Sequence, residues 1–231
     1  RGVECVFHCA ALKRIPQGEL NPLEHVRTNI YGTENVVQAC IVNQVSTAVF
    51  VSSDKAVSPV NLYGQSKAMG ERLWLQANAY TSLTNFVALR YGNVSGSRGS
   101  VLPLWQSQCD AGQPLTLTHH DMTRFYLTLP DAVQYAWYTA CHVPRGCLFV
   151  PYLPAFTVQD LLDAFAPDAM FRETGIRPGE KLAEALLSDD ERARARRLSG
   201  AIRGYLIPPA VRSWMLDEAA LPPLSCNDIP P

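Results

Sequence analysis

The sequence predicts an α/β protein built on a doubly wound parallel sheet, with a smaller α+β cap attached. Short, nearly all-apolar runs recur at 5–10, 48–52 and 86–91, the texture of strands buried on both faces. Helix-like stretches alternate with these runs, which implies right-handed crossovers between parallel strands. After Asn93 the alternation breaks into shorter mixed pieces, the mark of a cap.

In chain order, CVFHCA (5–10) is the first strand and ends at Ala11-Leu12-Lys13. Asn21 as N-cap and Pro22 at the first helical position open a long helix reaching about Asn43, with Leu23, Val26, Ile30, Val37 and Cys40 on a related face. Residues 48–52 form the second strand, 64–79 the second long helix and 86–91 the third strand. GSRGS (96–100) leads into a helix over 101–110, strand-like pieces near Leu115 and Phe125, and a helix over 130–141. A further strand–helix unit spans 147 to about 165, then comes GIRPGEK (175–181). DDERARARR (189–197) reads as an exposed helix face, and the tail from Pro208 as a Pro-rich surface wrap. These elements divide the chain into a sheet domain over 1–95 and a region over 96–231 that is mainly cap, with about 130–165 packing back on the sheet.

Composition narrows the function classes. An apolar content of 47% supplies a sizeable core for 231 residues. A net charge of −1 offers no basic field for nucleic acid or anionic lipid, so neither partner is expected. The 7 cysteines are scattered, mostly in apolar runs and without a Cys-x-x-Cys pair, so they read as reduced core residues of a cytoplasmic protein with no metal site. No apolar run approaches the ~18 residues of a membrane span. The chain opens without Met and runs almost straight into a strand, so further sequence upstream is expected.

The chemistry concentrates in SSDKAVSPVNLYGQSK (52–67). Tyr63 and Lys67 are one helical turn apart on one face, where an ammonium beside a phenol lowers the phenol's pKa and suits it to take a hydroxyl proton. Ser53 stands where it can hold the Tyr63 hydroxyl, and Asp54 and Lys55 follow at once as an acid and a base. In a doubly wound sheet ligands bind beyond the carboxyl ends of the strands. Segments 8–13, 52–55 and 91–93 all fall at such ends and converge on one cleft.

A dinucleotide-binding sheet of this kind normally opens with strand, Gly-x-Gly-x-x-Gly and helix, and no such loop occurs in this chain. The expected fold is therefore a Rossmann-type domain lacking about its first two strand–helix units.

These residues place the resemblance. HCAALKRIP with NPLEHVRTNIYGTENV, SSDKAVSPVNLYGQSK, RYGNVSGSRGSVLPLW, and DMTRFYLTL with GIRPGEKLAE resemble the extended short-chain dehydrogenase/reductases. Within these the chain looks like the configuration-inverting UDP-N-acetylglucosamine 4,6-dehydratases that begin pseudaminic acid synthesis, with Asp-Lys after the hydroxyl residue as the distinguishing pair. The likeness extends to about Glu191. Cys9, Arg14, Ser53 and Gln65-Ser66 depart from the family's usual Ala, His, Thr and Ala-Thr.

The resemblance implies that Tyr63, backed by Lys67 and Ser53, assists oxidation at carbon 4 of the hexose, with hydride passing to NADP. The ketone acidifies the proton on carbon 5, which Lys55 removes, while Asp54 protonates the departing hydroxyl of carbon 6. Hydride then returns to carbon 6 and a proton to the opposite face of carbon 5. Spacing alone leaves open which of Asp54 and Lys55 handles which proton. The resemblance also implies cofactor contacts at Cys9, Ala10, Ala11, Lys13, Asn29, Val51, Ser52, Tyr63, Lys67, Tyr91 and Gly92. Implied contacts to a UDP-sugar are Lys13, Asn93, Ser97, Arg98, Gly99, Ser100 and Val101, with Arg124 and Arg177 on the diphosphate and Glu180 on the ribose. A homo-oligomer through the helices from Asn21 and Gly64 is expected. The alternatives are a sugar-nucleotide 4-epimerase or reductase of the same superfamily, in which Asp54 and Lys55 are idle, and a non-catalytic truncated sugar-nucleotide-binding remnant.

Overall fold

The computed structural model describes residues 2–97, 99–200 and 202–209, so most of the expected Pro-rich tail lies outside the described residues. The chain begins with β1 (Cys5–His8), α1 (Ile15–Leu20) and α2 (Pro22–His25), and passes through a π-helical turn (Val26–Tyr31) into α3 (Gly32–Val42). β2 (Thr47–Val51), α4 (Leu62–Gln76) and β3 (Asn85–Leu89) follow. Then come α5 (Val101–Asp110), β4 (Leu115–Leu117), β5 (Thr123–Phe125), α6 (Leu129–His142) and β6 (Leu148–Pro151). β7 (Ala155–Thr157), α7 (Val158–Phe165), β8 (Phe171–Glu173), α8 (Asp189–Arg194), β9 (Arg196–Leu198) and β10 (Gly204–Ile207) complete the described chain.

The main sheet has the order β1-β2-β3-β6-β10-β9. β1, β2, β3 and β6 are parallel, as the strand–helix alternation predicts, while β10 and β9 add antiparallel strands at one edge. Strand alternation sorts the core onto two faces. Ala48, Phe50, Phe86 and Ala88 turn to one face, where Val37, Cys40 and Trp74 meet them; Val49, Val87 and Leu89 turn to the other, against the α6 side. Full burial of a ring such as Trp74 or Phe50 is worth ~1.5–3 kcal/mol. A separate cap core joins Trp105, Leu115, Leu117, Met122, Val158 and Leu162. The strand–helix unit expected over 147–165 is thus divided: β6 joins the sheet while α7 packs in the cap.

Four expectations change on folding. β1 ends at His8 and, among the described residues, has a partner on one side only, so Phe7 stays 38% exposed instead of buried. Asn21 makes no side-chain cap, and the helix from Pro22 buries His25, Asn29 and Thr33 while Leu23 is 66% exposed. The π turn rotates the apolar stripe expected from a 3.6-residue period, which leaves polar side chains facing inward. The second long helix starts at Leu62, not Gly64, with Asn61 accepting from the Gly64 N–H at 2.7 Å. The charge run 189–197 is only partly an exposed helix, because Glu191 turns in to Arg90 and 196–198 become strand β9.

Candidate active site

The ends of β1, β2 and β3 open onto a cleft of about 550 Å³. Past β2, Ser52 N–H donates to Leu89 O at 2.7 Å and Asp54 N–H to Tyr91 O at 3.0 Å, tying this loop to the end of β3. Ser53 caps a single 3₁₀ turn (Asp54–Ala56), accepting from Lys55 N–H at 3.3 Å. Helix α4 then brings Tyr63 and Lys67 to the same wall. Its close approach depends on Gly64, where an added Cβ would stand 2.2 Å from Lys55 O.

Most of the anticipated residues meet here. Cys9, Ala11, Lys13, Val51, Ser52 and Ser53 line the cleft, as do Lys55, Tyr63, Lys67, Tyr91, Gly92 and Asn93. Ser97, Gly99 and Ser100 border it from the cap together with Arg177 and Glu180. An adjoining pocket of about 260 Å³ shares Asn93, Gly99, Ser100, Arg177 and Glu180, and adds Val101 and Arg124. Arg98 lies outside the described residues.

Burial works against the simple picture of the Tyr63–Lys67 pair. Desolvation pushes the Tyr63 phenol up to about 12, against a hydrogen bond with Ser53 that draws it down. Lys67 donates to Val51 O at 2.6 Å and lies over the Phe50 ring at 4.4 Å, and burial lowers its ammonium to about 8. The expected lowering of Tyr63 by Lys67 therefore does not arise: the two share a wall, but desolvation dominates at the phenol and the ammonium is spent on a backbone carbonyl.

Asp54 is fully buried and does not border the cleft. Its Oδ1 accepts from Ser53 Oγ at 2.8 Å and from Lys55 Nζ at 3.1 Å, while its Oδ2 has no hydrogen-bond partner among the described residues. Asp54 thus reaches a ligand only through Ser53 and Lys55, contrary to the direct contact anticipated. Lys55 Nζ also donates to Asn93 Oδ1 at 3.0 Å and lies 3.7 Å from Glu184 Oε1. Glu184 was missed by sequence reasoning, and its one signal was its place at the end of GIRPGEKLAE.

Asn29 does not line the cleft. Its side chain accepts from Leu12 N–H at 2.7 Å, donates to Leu12 O at 2.9 Å and donates to Ser66 Oγ at 2.9 Å. It holds the loop after β1 in place, and Ala10 likewise stays off the cleft wall. Arg124 donates to Thr123 O at 2.7 Å, Lys181 O at 3.1 Å and Leu182 O at 3.2 Å, so its fork already serves backbone carbonyls. Arg177 has a 60% exposed side chain beside Glu180 at 3.8 Å and remains open to an anion.

Away from the cleft, His119, His120 and Glu173 bring ligand-type atoms within 4.8 Å of one another. His119 Nδ1 accepts the Asp121 N–H at 3.2 Å, which places the neutral ring's proton on Nε2, the nitrogen facing Glu173 at 3.9 Å. That is a donor facing a carboxylate, not a lone pair aimed at a metal.

Parallel strand ends carrying a Ser–Tyr–Lys set over an open cleft define the class: a Rossmann-type α/β protein of the short-chain dehydrogenase/reductase kind. Within that class, the chain belongs to the polysaccharide biosynthesis protein family, whose model matches residues 1–204. It is 41% identical over 194 residues to a Campylobacter jejuni UDP-N-acetylglucosamine 4,6-dehydratase (inverting), covering 83% of this chain and 58% of the relative. It is 43% identical over 200 residues to a Rickettsia rickettsii UDP-glucose 4-epimerase, covering 84% of this chain and 59% of that relative. Among solved structures, Pen from Bacillus thuringiensis superposes with a TM-score of 0.86 at 37% identity, over 91% of this chain and 68% of that one. The chain thus spans 58% of the length of the first of these curated relatives. Among the described residues no helix is long and apolar enough to cross a membrane.

Proposed function

We propose that this chain carries the catalytic part of a UDP-N-acetylglucosamine 4,6-dehydratase that inverts carbon 5, with NADP as its cofactor. The observation that carries the reading is the Asp54–Lys55 pair, with a cleft-facing amine hydrogen-bonded at 3.1 Å to a buried carboxylate. One proton moved along that bond converts the ion pair into an amine and a carboxylic acid, the base and the acid that dehydration needs.

The residues fit the nicotinamide end of a dinucleotide. Ser52 presents a buried hydroxyl with no hydrogen-bond partner among the described residues, and Val51, Lys67 and Tyr91 line the same wall. Bound and oxidised, the cofactor supplies a hydride acceptor and a positive charge. Tyr63, a phenol held by Ser53, takes the proton of the sugar's 4-hydroxyl, which the added positive charge favours by stabilising the phenolate. Lys55 takes the proton from carbon 5. Asp54 supplies the proton for the departing 6-hydroxyl through Ser53, which lines the cleft with Oγ 2.8 Å from Asp54 Oδ1: Ser53 turns to give its hydroxyl proton to the leaving oxygen and takes the Asp54 proton in its place. Arg177 and Glu180 hold the diphosphate and ribose in the adjoining pocket, with Asn93 and Ser100 between the two sites.

A second reading is a 4-epimerase, favoured by relatives of that name at 42–43% identity. Product mass separates the two, since dehydration removes one water and epimerisation none. In the active protein containing this chain, Lys55→Ala abolishes water loss. Unchanged dehydration by that variant overturns the assigned base.

A further inference from the structure

Lys55 Nζ donates to Asp54 Oδ1 at 3.1 Å and Asn93 Oδ1 at 3.0 Å, and Glu184 Oε1 stands 3.7 Å away as an ion-pair partner. The first two come from the loops after β2 and β3. The third comes from the cap, across 129 positions of sequence. Glu184 has a side chain only 4% exposed, and burying a carboxylate is costly unless it is paired. It stands between two lysines, with Oε1 toward Lys55 and Oε2 3.5 Å from Lys181 Nζ. With Asp54 they form a group of two carboxylates and two ammoniums whose charges cancel.

The segment bearing Glu184 is held firmly against the catalytic loop. Lys181 Nζ donates to Val57 O at 2.5 Å, and Asn61 Nδ2 donates to Gly179 O at 2.7 Å. From the cap side, Arg124 grips the carbonyls of Lys181 and Leu182, and Thr123 N–H donates to Leu182 O at 3.0 Å. The committed fork of Arg124 therefore has a purpose. It fixes the backbone that aims Glu184.

We propose that Glu184 is a positioning residue for Lys55: it holds the amine at the cleft wall and serves as counter-ion to the ammonium whenever Asp54 carries the proton. This role deepens the dehydratase reading and, in its kinetic part, rests on it. When the Asp54–Lys55 proton has shifted, Asp54 is neutral. The ammonium that Lys55 becomes on taking a proton from carbon 5 then faces a neutral Asn93, a neutral Asp54 and one anion, Glu184. A charge-assisted contact in so dry a place is strong enough to matter to the step that creates the charge.

The test reads Lys55 directly and needs no turnover. This chain and its Glu184→Gln variant are labelled with trace acetic anhydride, and each lysine's rate is read by peptide mass spectrometry. Lys55 is expected to label at least threefold faster in the variant, since an uncharged amide no longer pairs with the amine and restrains it, while Lys13 keeps its rate. An unchanged Lys55 rate, or an equal rise at Lys13, overturns the proposal. Should Glu184→Gln fail to fold, Glu184→Asp, whose carboxylate is set back by one methylene, must show the same selective rise. In the active parent protein, Glu184→Gln lowers kcat for water loss about tenfold with KM within twofold, as expected when a contact counts mainly in the transition state. An equal loss through KM contradicts the counter-ion role. If that protein turns over its sugar nucleotide without losing water, the dehydratase reading falls while the labelling result still decides the positioning.

Discussion

Gly64 sits where helix α4 meets the 3₁₀ turn that carries Lys55. Replacing it with Ala would place a Cβ 2.2 Å from Lys55 O and 3.0 Å from Pro59 Cβ. Ordinary contact lies roughly 1 Å or more beyond the first distance. Neither side yields easily: Lys55 belongs to a turn capped by Ser53, and Gly64 N–H donates to the Asn61 cap at 2.7 Å. The strain must separate the two elements, at a cost of about 3 kcal/mol for overpacking against rigid backbone. The same displacement pulls Tyr63 and Lys67 away from Ser53 and Lys55, and a 1 Å misplacement of catalytic groups costs on the order of 100-fold in turnover. Gly32→Ala is the control. Its nearest neighbour would be Arg27 O at 3.7 Å and its φ is −59°, so it gains ~0.5–1 kcal/mol from helix propensity. Urea denaturation of the two variants, with product formation by the active protein, makes the comparison. A Gly64→Ala variant within 1 kcal/mol of the parent would refute the close-packing argument.

Arg90 donates to Glu71 at 2.9 and 2.6 Å and to Glu191 at 2.8 Å through two nitrogens, so Arg90→Met strands two largely buried carboxylates and should cost ~3–5 kcal/mol by denaturant melting. A loss below 1 kcal/mol would mean that the carboxylates find water. His8 is held down to about 4, first by burial and then by the Lys67 charge, while it hydrogen-bonds Thr33 at 2.9 Å and stacks on Trp74 at 5.4 Å. Because its folded value lies below the ordinary 6.5, the unfolded chain binds the extra proton between those limits, and stability falls as pH drops from 6.5 to 4. The loss is of the order of 2 kcal/mol after allowing for partial screening, and His8→Gln should flatten that part of the stability-versus-pH curve.

How much of this was legible follows from range. Ser53, Asp54, Lys55, Tyr63 and Lys67 lie within fifteen consecutive residues, so the sequence by itself determined that they meet: a strand end, a turn and one helical turn leave little freedom. The parallel strands β1, β2, β3 and β6 were equally readable, because apolar runs alternating with amphipathic helices have few compact solutions. What only the tertiary structure decided depends on burial and on partners that no local pattern specifies. Periodicity could not tell that Asp54 is sealed from the cleft, that desolvation dominates at Tyr63, or that Arg124 serves carbonyls. The antiparallel β9 and β10 and the inward turn of Glu191 depend on partners in β6 and on Arg90, which no local pattern encodes. Glu184 is the clearest case: a lone carboxylate in a cap segment until the fold sets it 3.7 Å from Lys55, where burial in a low dielectric makes that one charge count.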